Sequence, residues 1–140
     1  MSVEAILAPL FVQVALMFFL MFYMAGTRTA ALRRREVRIA DIALGQQNWP
    51  PYTTQVGNAY NNQFQLPLLF FVLVILAYIL HKADLLFVGM SWIFVITRLA
   101  HAFVHVTSNR MQTRFAIFAV GAIVLLIMWI IFALRILLAL

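Results

Sequence analysis

The 140-residue chain is 66% hydrophobic and 10% charged, with a mean hydropathy of +1.01. Soluble domains are about half apolar and about a quarter charged, so this is an integral membrane protein, and its continuous rather than alternating apolar runs exclude a β-barrel. The chain has no cysteine, which removes disulfides and protein thiolates from consideration.

Four stretches are long enough to cross ~30 Å of hydrocarbon at ~20 residues each. They cover about residues 5–25, 64–80, 85–106 and 115–138, and what lies between them leaves room for no separate domain. The expectation is one unit over 1–140, an all-α four-helix transmembrane bundle. The first span has no Lys or Arg before it, carries Glu4, and has an apolar run about twice that of a signal core, so it is read as retained rather than cleaved. Its "LMFFLMFYM" run supplies lipid-facing and packing residues.

The net charge of +6 is unevenly placed. Arg28, Arg33, Arg34, Arg35 and Arg38 follow the first span, and Arg110 and Arg114 follow the third. The other side offers Lys82 and Arg135. Lys and Arg concentrate in cytoplasmic loops. The basic segment over 26–57 is therefore expected in the cytoplasm and both termini on the opposite side. This distribution reads as a topology signal with lipid-headgroup contact, not as a nucleic-acid surface.

After the first span, "TRTAALRRREVRIADIAL" contains good helix formers and neither Pro nor Gly, so the helix is expected to run on, with Gly45 as its stop. "GQQNWPPYTTQVG" then reads as an irregular surface loop, because prolines remove donors and restrict their predecessors. The second helix is expected to start near Asn58 to Asn62. "HKAD" and "TSNRMQ" are short connections, which makes the second, third and fourth helices antiparallel neighbours.

Two polar stripes interrupt the apolar pattern. On the third helix, Arg98, His101, His105 and Asn109 fall within about 80° of one another at ~100° per residue, with Ser91 deeper on the same side. On the second, Asn58, Asn61, Asn62 and Gln65 share a face that ends at Pro67. The second helix leaves the basic side as the third returns to it, so both stripes occupy the same leaflet. Ionisable side chains in a membrane usually face the bundle interior or a polar cavity. The stripes are therefore expected to line one pocket. Arg98 lies ~16 Å of helix rise from Asn109, too deep to snorkel comfortably. Each stripe also has a purely structural reading, since Asn and Gln commonly hydrogen-bond between membrane helices. His101 and His105 stand at metal-ligand spacing, but no nearby carboxylate or Cys completes a set, so no metal is expected.

The segments "NQFQLPLLF" (Asn62 to Phe70) and "RLAHAFVH" (Arg98 to His105), with four spans and a basic first loop, resemble the MAPEG family, the membrane-associated proteins of eicosanoid and glutathione metabolism. The resemblance covers nearly the whole chain and is to bacterial members, which implies a multi-pass protein of the bacterial inner membrane. It further implies a homotrimer, with glutathione as co-substrate near the cytoplasmic side and lipophilic small molecules arriving through the bilayer. Carried over by position, Asn62 and Gln65 contact the peptide, and Arg98, His101 and His105 take the places of the third-helix residues. The chain differs from the family pattern at Gln65, which replaces an acid, at Asn58, which replaces an arginine, and at His101 and His105, which replace tyrosines.

The candidate ligand-binding residues are thus Asn58, Asn62, Gln65, Arg98, His101, His105 and Asn109. Arg98, or a cytoplasmic arginine such as Arg110 or Arg114, is the candidate to stabilise a thiolate, because an adjacent cation favours the ionised thiol. Two functions follow. One is binding of glutathione or a similar small thiol or anion, with transferase or peroxidase action on lipophilic substrates. The other is a non-catalytic trimeric binding or scaffold protein whose polar pocket holds a lipid headgroup or serves packing alone.

Overall fold

The computed structural model describes residues 1–45 and 48–139. Its order is α1 (Val3–Arg33), α2 (Ile39–Ile42), α3 (Pro51–Asn61), a single 3₁₀ turn (Asn62–Phe64), α4 (Leu66–Ile79), α5 (Leu85–Val106) and α6 (Met111–Leu137). No strand occurs among the described residues. Four helical segments are long and apolar enough to cross a membrane: α1, α3 with α4, α5, and α6.

The ends of these helices have local causes. Ser2 caps α1 by accepting the Ala5 N–H at 3.2 Å, and Asp84 caps α5 by accepting the Phe87 N–H at 2.9 Å. α1 runs on past residue 25 as expected, but it ends at Arg33 rather than at Gly45. Arg35 turns into the left-handed region at φ 59°, its N–H bonds to Leu32, and the Glu36 N–H reaches back to Ala31. That closure satisfies the last carbonyls and stops the helix, although every residue involved is a good helix former.

The surface loop expected over residues 45–57 is also corrected. Its Gln46 and Gln47 lie outside the described residues, but from Pro51 the chain is helical. Pro50 is extended at φ −56°, ψ 153°, and Pro51 opens α3 at a position where a missing N–H costs nothing. The second membrane segment therefore starts near residue 51 rather than 58–62. Pro67 then prevents one straight helix, since its ring lacks a donor and crowds the carbonyl four residues back. The chain crosses this point through the 3₁₀ turn and Gln65, at φ −98°, ψ −103°.

The main core joins Ile6 of α1 to Phe70, Leu73, Val74 and Ala77 of α4, Phe94 and Val95 of α5, and Leu125 and Met128 of α6. Phe70 and Phe94 stack at 4.7 Å. A second cluster, Leu20, Ala59 and Ala102, sits between α1, α3 and α5, where small residues permit close approach of helices without help from water. Phe18, Phe19, Phe22 and Tyr23 face outward from α1, the arrangement lipid requires.

Candidate functional site

The break between α3 and α4 is what builds the site. Helix-breaking prolines persist in membranes where neighbouring groups satisfy the backbone they release. Here the Asn62 carbonyl accepts the Gln65 N–H at 3.3 Å, and Arg98 Nη2 from α5 donates to the same carbonyl at 3.4 Å. On the α1 side, Gln13 Nε2 donates to Gln63 Oε1 at 2.7 Å, and Gln63 Nε2 donates to the Ala59 carbonyl at 3.0 Å. Gln13 and Gln63 are 0% and 1% exposed, so this chain of amides fastens the irregular backbone where no water is available.

On the other side of the break, α3, α5 and α6 line an open cavity of about 480 Å³, within the ~300–1,000 Å³ typical of small-molecule sites. Asn58, Asn61, Asn62 and Gln65 line it from the second segment, and His101 and His105 from α5. The third wall is α6, through Met111, Arg114, Phe115 and Phe118. The two polar stripes thus face each other. Asn62 Nδ2 lies 3.1 Å from His101 Nδ1; with the amide donating, Nδ1 accepts and the ring carries its proton on Nε2. The His105 ring meets His101 edge-on at 5.6 Å. His105 is buried, and its Nδ1 has no hydrogen-bond partner.

Arg98 lies beneath this lining rather than in it. It is 1% exposed, joined to Asn62 by the bond above, and its guanidinium carbon stands 5.9 Å from the Phe118 ring. Its Nε and Nη1 are buried without hydrogen-bond partners. A guanidinium presents five N–H donors in a fixed fork, and one long bond to a carbonyl leaves most of them unanswered. No carboxylate neutralises it: the ion pairs among the described residues are Arg34–Glu36, Arg38–Asp41 and Arg135–Asp84. The result is a buried positive charge one side chain behind a wall of amides and imidazoles.

Besides Arg98, two more residues expected in the site stand outside the cavity. The helical-face argument placed Asn109 below His105, but α5 ends at Val106, and Asn109 adopts φ 51° while accepting a hydrogen bond from Arg114 Nη1. Beyond the helix end the angular periodicity no longer applies. Arg110 is exposed at the N-cap of α6 and does not line the cavity. Arg114, one turn further, does. Apart from Arg114, the α6 wall was not foreseen, nor was the Gln13–Gln63 pair. Met111, Arg114, Phe115 and Phe118 do share a helix face by spacing, and a lone Gln13 in an apolar helix is itself a signal. Among the described residues no group of three or more metal-ligating side chains occurs.

Four segments long and apolar enough to cross a membrane, around a polar cavity, with a proline-broken second segment and a buried arginine on the third, define a small polytopic membrane protein. The MAPEG family model matches residues 6–134, nearly the whole chain, and the protein belongs to that family. No curated protein and no solved structure gives a match.

Proposed function

We propose that the protein binds glutathione or a similar small thiol or anion in the cavity between α3, α5 and α6, and acts as a transferase or peroxidase on lipophilic substrates. The observation that carries this reading is Arg98: a fully buried guanidinium with two unpartnered nitrogens behind the Asn62–His101 wall. An unpaired charge inside a membrane is expensive, and such residues persist where they serve a ligand or pathway. Arg114 adds a second cation on the cavity wall. Together they favour the ionised form of a bound thiol.

The α6 wall suits the second substrate. Phe115 is 70% exposed at the cavity's edge, and such an apolar edge lets a lipophilic molecule reach the cavity sideways from the bilayer. In the transfer step, the thiolate sulfur attacks an electrophilic carbon, the new C–S bond forms, and the leaving group departs with its electron pair. Under this proposal the basic end faces the cytoplasm, both termini face away, and the chain works as a homotrimer in a bacterial inner membrane.

A non-catalytic binding or scaffold protein is the second reading, favoured by the Arg98 bond to the Asn62 carbonyl, which gives the cation a structural use. A conjugation assay separates the two. Purified protein with glutathione and a reactive aryl halide should release halide faster than the uncatalysed reaction, with saturation in the thiol. A rate equal to the background at saturating thiol contradicts the enzyme reading.

A further inference from the structure

The chain contains only four acidic residues, and their positions restrict what the cavity accepts. Glu4 lies in the first turn of α1, at the end where Met1, Val3 and Ile6 meet Tyr78 and His81, away from the cavity. Asp84 is at that same end, bonded to Arg135 at 2.7 Å. At the cavity's own end, Glu36 accepts the Tyr52 hydroxyl at 2.8 Å and stands 4.0 Å from Arg34. Asp41 pairs with Arg38 at 3.1 Å. Among the described residues, every acidic side chain is therefore distant or already answered. A second copy of the chain would bring only the same four.

The cavity itself is lined by neutral amides, two imidazoles, Arg114 and apolar groups, with the Arg98 cation behind them. Amide oxygens of Asn58, Asn61 and Gln65 can accept a hydrogen bond from an ammonium group. They cannot offset its charge, and the two arginines repel it. An anion meets the opposite field.

We propose that the cavity selects organic anions without a free ammonium group, in preference to zwitterions of the same shape. This inference rests on the functional reading above and narrows it to a substrate class: a thiol or other anion whose amine is absent or acylated. The amide lining then reads neutral carbonyl and N–H groups of the ligand, while Arg114 on the cavity wall takes its carboxylate or thiolate in the field of the Arg98 cation behind.

Two probes of nearly equal shape test this: glutathione, and its desamino analogue in which hydrogen replaces the amino group. Both are titrated by calorimetry into the purified full-length protein in mild detergent at one pH. The desamino form is expected to bind at least tenfold more tightly. In the Gln65→Glu variant, which adds one carboxylate at the cavity with almost no change in shape, the preference should shrink or reverse. Glutathione binding the parent as tightly as the desamino form overturns the selectivity while leaving the proposed function standing. A Gln65→Glu preference identical to the parent's overturns the charge argument. Binding of neither probe overturns both readings.

Discussion

The two ends of the bundle each hold an arginine against a turn, and they treat it in opposite ways. At the end with the chain termini, Arg135 donates from Nη2 to Asp84 at 2.7 Å and from Nη1 to the Lys82 carbonyl at 3.2 Å, in a half-exposed position where water reaches both partners. At the basic end, Arg98 is sealed from solvent, holds one carbonyl at 3.4 Å and leaves two nitrogens without partners. Arg135 is an ordinary fastener. Arg98 occupies a position that stability alone does not explain, because removing a cation from water without a counter-charge costs several kcal/mol even after relaxation. The difference teaches where to look for function in a membrane bundle: at the polar group whose needs the fold leaves open.

The largest effect should come from wedging α6 away from α5. A Cβ added at Gly121 would stand 2.7 Å from Thr97 Oγ1, a hydroxyl already donating to the Phe94 carbonyl at 2.6 Å. Gly121→Leu should therefore cost about 1–3 kcal/mol by overpacking and displace Phe118 and Arg114 from the cavity. A lowered melting temperature in detergent with weakened ligand binding is expected. Unaltered binding would mean that the α6 wall is not part of the site.

At the other end, Asp84→Ala removes both the cap of α5 and the partner of Arg135, a loss of about 1–2 kcal/mol with ligand binding intact. A change in binding as large as the change in stability would break the separation of the two ends.

Asp84→Asn is the finer test, since asparagine caps a helix about as well as aspartate and only the ion pair is lost. An effect of ~0.2–1 kcal/mol is expected for so exposed a pair. The Arg135 hydrogen bond holds the Asp84 carboxyl below its ordinary value. A depressed folded pKa contributes stability that is present above the usual aspartate value of about 3.9 and lost as pH falls through the folded value. Parent and Asp84→Asn melting temperatures should thus differ at neutral pH and converge in acid. A difference that persists in acid would show the pair is not its source.

Much of this was legible from residue spacing. Four spans, the basic segment after the first, and the convergence of Asn58, Asn62 and Gln65 with His101 and His105 follow from helical periodicity in an apolar background, where each polar residue stands out. The α6 wall was hidden for the same reason: Met111, Phe115 and Phe118 have no contrast in a helix that is apolar all round. Backbone closures were hidden as well. Nothing in "LRRRE" announces that Arg35 turns left-handed, and the pair Pro50–Pro51 marks a helix start as readily as a loop. Asn109 was misplaced because the periodicity was carried past the end of α5.

The account depends most on Arg98 being kept for a ligand, and Arg98→Met puts that to a single comparison. The substitution loses one long hydrogen bond, about 0.5–1.5 kcal/mol, and relieves a larger cost of burying the charge. With purified protein in detergent, the melting temperature should be followed against rising concentrations of glutathione and its desamino analogue. Without ligand, Arg98→Met should melt no lower than the parent, and its affinity for the better-bound of the two anions should fall at least tenfold. An Arg98→Met protein that melts well below the parent yet binds the anion as tightly would contradict the account, and would make Arg98 a brace like Arg135.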